Sequence, residues 1–284
     1  MESSVGAAQT FCTRDGVDLH YWEAGAGPSL LLLPGWSQTA AMFRKQIVGL
    51  SDRFHCIALD HRGHGESAKV EFGYRISRLA CDLRELILAR DLSQITLLGH
   101  SMGGAVILSY WDLFGSDRLA RIVIDDQPAA LTLRDTESAE SKKQAGMIFP
   151  WPQLVEICTA LQGPDAVNFT RKMIGKMFSD SFRVANQEWI VAENLKLPRH
   201  HAAHLLFNGA LHDWRDLIPH IQIPTLVIAG KASVVPWRSQ VWIHEQIPGS
   251  RLEIFEQSEG GYHFAFLENP NKFNDLLAEF ILSS

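Results

Sequence analysis

Residues 99–103 read Gly99-His100-Ser101-Met102-Gly103, a G-x-S-x-G pattern. The pattern follows the apolar run 95–98 and leads into residues 104–111, which fit a helix. A serine on a sharp turn between a strand and a helix presents its hydroxyl above the edge of the sheet. Glycines are needed beside it because a Cβ there would collide with the neighbouring strand and helix. We therefore predict that Ser101 is a nucleophile, and the alternative is a glycine-rich turn with an inert serine.

Strand and helix patterns alternate on both sides of this turn. An Asp15-Gly16 turn between alternating apolar residues predicts an N-terminal hairpin. Continuous apolar runs predict buried strands, and apolar positions at helical spacing predict the helices between them. Such alternation indicates a mostly parallel sheet with right-handed crossovers. The predicted strands are 9–13, 17–23, 29–33, 55–60, 95–98, 121–124, 224–230 and 251–255, and the predicted helices are 76–90, 104–111 and 270–282.

The pattern changes between residues 127 and 219, which are helical in pattern, rich in aromatic residues and methionine, and without a strand-like run. We interpret this segment as a helical cap inserted after the sixth strand. The predicted domains are then a core of residues 1–126 and 220–284 and a cap of residues 127–219. An apolar, aromatic cap predicts a small or medium apolar or aromatic substrate rather than a protein or a sugar.

Charge and hydropathy exclude several classes of partner. The net charge is −6 and there is no run of Lys and Arg, so a nucleic-acid-binding surface is not expected. No apolar stretch reaches 18 residues, and no secretory signal pattern is present, so we expect neither a membrane partner nor secretion. The sequence does not predict the oligomeric state.

Cysteine and histidine usage indicates a cytoplasmic protein without a metal. The four cysteines have no metal-binding spacing, and Cys12, Cys56 and Cys81 are expected to be buried thiols. His200, His201 and His204 lie together on a predicted cap helix, but no carboxylate or cysteine has matching spacing. A solvated or pocket-lining helix face is therefore favoured over a metal site. No nucleotide or flavin motif is present, so no cofactor is predicted.

Four segments together resemble the motif set of the α/β-hydrolase superfamily, in that family's order and over nearly the whole chain. They are LPGW at 33–36, DHRGHGES at 60–67, GHSMGG at 99–104 and GGYHF at 260–264. The resemblance implies an α/β-hydrolase fold, with a mostly parallel eight-stranded sheet, helices on both faces and a helical cap after strand 6. It says much less about the reaction, because one fold carries many chemistries.

A serine hydroxyl needs a base and an orienting acid to become a strong nucleophile. In this family the base follows the last strand, which implies His263 here. The acid usually follows the penultimate strand, but residues 231–236 contain no carboxylate. The alternative family position is the end of the sixth strand, where Asp125 and Asp126 stand. We expect Asp126, while a one-residue change of register would select Asp125.

Two further readings of the acid stay open. In one of them, Asp125 and Asp126 only cap the end of the strand and no triad acid is present. Asp213 and Asp216, near the end of the predicted cap, are poorer candidates because of their position.

The oxyanion hole and the substrate contacts follow from the same motifs. The backbone N–H of Met102, after the serine, and that of Trp36, in the loop after the third strand, are the expected oxyanion donors. The Trp36 side chain can wall an aromatic-binding pocket or pack under the cap. His100 is an expected substrate contact beside the serine, and Trp151 is the cap residue expected to reach the pocket.

Two functions are compatible with these residues. The first is a serine hydrolase of an ester, lactone or related carbonyl substrate, with Ser101, His263 and Asp126 as the triad. The second comes from a weaker resemblance to the cofactor-free 3-hydroxy-4-quinolone 2,4-dioxygenases, in which the His–Asp pair deprotonates the substrate and Ser101 is a polar contact. Met102 departs from that family's pattern. A non-enzymatic scaffold is disfavoured because Ser101 and His263 are both present.

Overall fold

The computed structural model describes residues 6–283. Its centre is an eight-stranded sheet with the order β1-β2-β4-β3-β5-β6-β7-β8. Only the pairings β1–β2 and β2–β4 are antiparallel, and the other five are parallel. This arrangement confirms the predicted mostly parallel α/β sheet.

The predicted strands and helices are found, with small shifts at their ends. The strands are β1 (Ala7–Cys12), β2 (Asp18–Ala24), β3 (Ser29–Leu33), β4 (His55–Leu59), β5 (Ile95–His100), β6 (Leu119–Asp125), β7 (Thr225–Gly230) and β8 (Arg251–Phe255). The helices are α1 (Arg44–Leu50), α2 (Ile76–Ala89), α3 (Met102–Phe114), α4 (Ala139–Ala145), α5 (Trp151–Ala160), α6 (Ala166–Ile174), α7 (Asp180–Leu195), α8 (Arg199–Ala210), α9 (Trp237–Gln246), α10 (Ala265–Glu268) and α11 (Pro270–Leu282). Outside the cap, the helices α1, α9 and α10 were not among the predicted helices.

The two faces of the sheet carry separate apolar cores. Along β3, Leu31 and Leu33 join a cluster with α2, α3 and α9, while Leu30 and Leu32 join one with α1, α10 and α11. Side chains of a strand alternate between faces, so a strand buried on both sides must be apolar throughout. Each fully buried leucine contributes about 1.5–3 kcal/mol. These cores hold the strand ends in place at one edge of the sheet.

Helices α4 to α8 separate β6 from β7, within the segment predicted as a cap. A third apolar cluster joins α5 to α8. Among residues 127–219 the structure forms no strand, only one isolated bridge between Ala130 and Asp213. The helical content agrees with the sequence, and the domain boundaries themselves stay a prediction.

The expectation of buried thiols is wrong for Cys12. Cys56 is buried and Cys81 is partly buried, but Cys12 is exposed. It is the last residue of β1, which is an edge strand with a neighbour on one side only.

Within residues 6–283 no helix is long and apolar enough to cross a membrane. The cytoplasmic location stays a prediction.

Candidate active site

Ser101 stands on a strained turn between β5 and α3. Its φ is 50° and its ψ is −124°, a backbone conformation that costs on the order of 1–3 kcal/mol. The Ser101 N–H donates to the Asp125 carbonyl at 2.8 Å, which ties the turn to β6. A Cβ on Gly99 would lie 2.3 Å from the Gly103 backbone, and one on Gly103 would lie 2.2 Å from the Leu33 carbonyl oxygen. The glycines therefore permit the turn that presents the serine.

A buried carboxylate orients His263. Oδ2 of Asp126 lies 2.6 Å from Nδ1 of His263, and both side chains are buried. The Ser233 hydroxyl donates to the same oxygen and accepts from the Val235 N–H at 3.1 Å. A carboxylate at Nδ1 favours the tautomer with the proton on that nitrogen. Nε2 of His263 is then free to accept a proton from a group in the adjoining cavity.

Asp125 and Asp126 lie in different surroundings although they are neighbours. Asp125 ends β6, is fully buried, and has an Oδ2 without a hydrogen-bond partner among the described residues. Burial, and then the adjacent Asp126, raise the pKa of Asp125 well above its ordinary value. Asp126 follows the strand with a φ of 52° and is the acid that contacts His263. Asp213 and Asp216 are exposed and do not line the cavity.

Two hydrogen bonds connect the loop after β3 to the cap. The Trp36 Nε1–H donates to the Ala202 carbonyl on α8 at 2.7 Å, and the Ser37 hydroxyl donates to the Asn194 carbonyl on α7 at 2.8 Å. Trp36 also lines the cavity, so its side chain does both things that the sequence left open. These contacts fix the position of the Trp36 backbone.

Two backbone donors remain available beside the serine. Within residues 6–283 the N–H groups of Trp36 and Met102 have no protein acceptor. A Cβ on Gly35 would lie 3.2 Å from the Ser101 Cβ, so this loop lies directly against the elbow. Both donors were predicted from the motifs, and their placement fits an oxyanion hole.

A cavity of about 560 Å³ opens above Ser101 and His263. Its volume is in the range typical of small-molecule sites. Most of its wall is apolar and comes from the cap segment. Representative wall residues are Leu131, Phe149, Ile157, Phe169, Met173 and Leu205. The charged Glu156, Lys172 and Lys176 also line it and are themselves exposed, which places them at its mouth.

Two predicted substrate contacts do not lie in this cavity. His100 is fully buried, and its Nε2 donates to the His263 carbonyl at 2.8 Å. Burial, and then the proximity of His263, lower the pKa of His100 well below its ordinary value, so it is a neutral support of the His263 backbone. Trp151 is 45% exposed and stacks edge-on against Phe207 at the surface. It is the first residue of α5, and Ile157 on that helix reaches the cavity instead.

Sequence reasoning missed Ser233, Gln127 and the pair Val234-Val235. Ser233 occupies the segment after β7 where an acid was sought, and it holds Asp126 there by a hydrogen bond. Gln127, Val234 and Val235 line the cavity. The sequence did contain a signal for Ser233, Val234 and Val235, because they directly follow the penultimate strand. The carboxyl ends of neighbouring parallel strands meet at one edge of the sheet, so residues that follow them are expected near the site.

The histidines of α8 are not part of the cavity. His200 and His204 are exposed, as expected for a solvated face, whereas His201 is buried and stacks on Tyr74 with ring centroids 4.0 Å apart. None of the three lines the site described above.

Comparison with known proteins agrees with this architecture. A family described as the alpha/beta hydrolase fold matches residues 28–154. An esterase from Exiguobacterium antarcticum superposes with a TM-score of 0.85 and 26% identity, covering 98% of this chain and 100% of the esterase. The chain has the α/β-hydrolase fold, and the comparisons support an enzyme of the hydrolase kind.

Two sequence relatives extend over nearly the whole chain. One is an uncharacterized protein of Mycobacterium tuberculosis, 28% identical over 95% of this chain and 80% of the relative. The other is a non-heme chloroperoxidase of Kitasatospora aureofaciens, 27% identical over 95% of this chain and 98% of the relative. Similarity at this level does not fix a reaction, which depends on the site itself.

Proposed function

We propose that this protein is a serine hydrolase that cleaves an ester, lactone or related carbonyl bond of a small or medium apolar or aromatic substrate. The observation that carries the proposal is the contact between Asp126 and His263, beside the cavity that His263 and Ser101 both line. A nucleophile, a base and an orienting acid are the three parts that acyl transfer requires.

The proposed reaction has two halves. Ser101 Oγ attacks the substrate carbonyl while Nε2 of His263 takes the hydroxyl proton, and Asp126 stabilises the resulting imidazolium. The tetrahedral intermediate collapses, the ester C–O bond breaks, and His263 returns the proton to the departing alkoxide. A water then attacks the acyl-enzyme with His263 as its base, which releases the carboxylic acid and restores the Ser101 hydroxyl.

The negative oxygen of each intermediate is stabilised by backbone donors. The free N–H groups of Trp36 and Met102 supply two hydrogen bonds on fixed elements, one held by the cap and the other by the start of α3. Each such donor contributes about 3–4 kcal/mol to the transition state. Because both donors belong to the backbone, no side-chain substitution removes them directly.

The substrate class follows from the cavity wall. Its residues are mainly aliphatic and aromatic side chains and methionines, and Ser101 and His263 also line it. Apolar walls with a few convergent polar groups bind small hydrophobic molecules and orient them through those groups. We therefore expect aryl and medium-chain acyl esters and lactones to be better substrates than short, strongly polar esters.

The test is steady-state hydrolysis of a panel of aryl esters and lactones by the wild type and by Ser101→Ala. Serine-triad knockouts lead us to expect a loss of kcat on the order of 10⁴-fold or more in the variant. The Ser109→Ala variant, which changes a buried serine on α3 outside the cavity, is the matched control and should retain activity. Retention of most activity by Ser101→Ala would contradict the proposal.

The dioxygenase alternative gives a different result in the same design. If His263 only deprotonates a 3-hydroxy-4-quinolone, oxygen uptake by the wild type should be rapid and Ser101→Ala should retain most of it. His263→Ala should be severely impaired under either function, so it does not separate them. Uptake of oxygen without ester turnover would replace the hydrolase proposal.

A further inference from the structure

Three side chains of types that can ligate a metal ion lie close together at the surface, away from the cavity. They come from two different parts of the fold. His200 and His201 lie in the first turn of α8 in the cap, and Glu71 lies in the core segment between β4 and α2. One ligand atom from each of the three lies within 4.8 Å of the other two. The sequence spacing did not show this carboxylate, because Glu71 is about 130 residues away from the histidines.

The distances fit a small tetrahedral cation. Oε2 of Glu71 is 3.6 Å from Nε2 of His200 and 3.4 Å from Nε2 of His201. Nitrogen and oxygen ligands about 2.0–2.1 Å from a tetrahedral zinc ion lie about 3.3–3.4 Å from one another. The His200 and Glu71 side chains are 51% and 83% exposed, so small rotations can close the remaining gap and a water can reach a fourth position.

A second observation concerns His201. Its side chain is 4% exposed, and neither ring nitrogen makes a contact of hydrogen-bond geometry among the described residues, although Nε2 lies 3.4 Å from the Glu71 carboxylate. Tyr74 stacks on the ring at 4.0 Å with an interplanar angle of 15°, which holds the ring in place. A buried polar group without a partner costs about 1–3 kcal/mol unless something satisfies it. Nε2 faces the Glu71 carboxylate, where a cation would supply the missing contact.

We propose that Glu71, His200 and His201 form a zinc-binding site that links the cap helix α8 to the core loop. Two imidazoles and one carboxylate form a donor set that zinc accepts, with water as the fourth ligand. The next residue on α8, Ala202, accepts the hydrogen bond from Trp36. An ion at this site would therefore stabilise the same helix turn that holds the oxyanion loop, and the proposal is independent of the reaction assigned to Ser101.

The test is zinc binding to chelator-stripped protein, measured by equilibrium dialysis with metal analysis and by competition with a chromophoric chelator. The test variant is Glu71→Gln with His200→Asn, because both side chains are exposed and their loss should not prevent folding. The matched control is Glu140→Gln with His220→Asn, which removes an exposed glutamate and an exposed histidine elsewhere. Circular dichroism of the zinc-free proteins checks that all three are folded.

We expect one zinc ion per wild-type chain and per control chain, with binding at least 100-fold weaker in the test variant. Removing even an indirect partner of a ligand costs roughly 10–100-fold. Zinc, but not magnesium, should also raise the Tm of the wild type and the control and leave that of the test variant unchanged. Equal zinc affinity in the wild type and the test variant would show that the three residues form only a surface ion pair, and would overturn the proposal.

Discussion

Oδ2 of Asp126 lies 2.6 Å from Nδ1 of His263, although the two residues are 137 positions apart in the chain. They meet because Asp126 follows β6 and His263 follows β8, and these strands flank β7 in the sheet. Ser233 follows β7 between them and donates to the same Asp126 oxygen. Three successive strand ends thus build the part of the site that orients the base.

The first prediction separates the two adjacent acids. Asp126→Asn should lower kcat by about 10⁴-fold, as when the aspartate of a serine-histidine-aspartate triad is replaced by asparagine. Asp125→Asn should leave kcat close to the wild-type value, because Asp125 does not contact His263. The measurement is kcat for an ester substrate in both variants. A large loss in Asp125→Asn with a small one in Asp126→Asn would reverse the assignment.

Asp125 also gives a prediction about stability. Its raised pKa means that the folded state binds this proton more tightly than the unfolded chain does. The native state is therefore destabilised as pH rises above the unfolded pKa of about 3.9. Asp125→Asn, which has no charge to bury, should raise the free energy of unfolding at pH 7 by more than it does at pH 4. Urea unfolding at the two pH values measures this difference, and a lower stability of the variant at pH 7 would contradict it.

The sequence predicted most of what local chemistry controls. The bounds of β3, β8 and α11 agree with the apolar runs, and the elbow around Ser101 follows from its glycines. The family resemblance implied an acid at the end of β6, and the predicted end of that strand favoured Asp126 over Asp125. What could not be predicted depends on long-range packing, since spacing along the chain carries no information on which loops meet.

Three residues whose surroundings were not predicted show this limit. His100 follows an apolar run and precedes the serine, but only the fold shows that its ring turns away from the cavity to the His263 carbonyl. Trp151 was expected to reach the cavity, yet the orientation of α5 leaves it at the surface. Likewise, Glu71 lies close to the α8 histidines only because the fold brings their two distant segments together.

The third prediction moves the acid to the neighbouring strand. Because Ser233 contacts the Asp126 oxygen that faces His263, a carboxylate at 233 can approach the same ring. Asp126→Asn combined with Ser233→Asp should recover part of the activity that Asp126→Asn loses. The combination of Asp126→Asn with Ser233→Asn is the isosteric control and should recover none. Equal kcat values for the two double variants would show that residue 233 cannot serve this role.

Acid should destabilise the protein through two buried histidines. Burial lowers the pKa of His61 to about 3 and that of His64 to about 4. The unfolded chain binds these protons near pH 6.5, so stability is complete above that pH and falls as pH decreases toward the folded values. At pH 5 each histidine should reduce the free energy of unfolding by about 2 kcal/mol relative to pH 8.

Urea unfolding at pH 5 and pH 8 measures this loss. His64→Asn should show a smaller difference between the two pH values than the wild type, whatever its absolute stability. The exposed His220→Asn variant is the control for a histidine outside the core. An unchanged pH difference in His64→Asn would argue against a neutral buried ring at this position.

The elbow predicts a strong dependence on one glycine. Gly103→Ala would place a Cβ 2.2 Å from the Leu33 carbonyl oxygen, so either α3 or β3 must shift. We expect a loss of stability on the order of 3 kcal/mol together with a loss of activity, since overpacking of a rigid core has few ways to relax. Gly163→Ala, whose Cβ would meet nothing closer than 3.5 Å, is the control. Thermal unfolding that gave the same Tm for both variants would contradict this reading of the turn.

The most direct measurement of the central claim is intact-protein mass spectrometry after reaction with a small aryl phosphonate fluoride. We expect the wild type to gain the mass of one phosphonyl group, mapped by peptide digestion to Ser101, with ester hydrolysis lost in proportion. Ser101→Ala should gain no mass, and Asp126→Asn should react far more slowly. An enzyme that hydrolyses esters while Ser101 stays unmodified, or that reacts at another residue, would show that Ser101 is not the nucleophile.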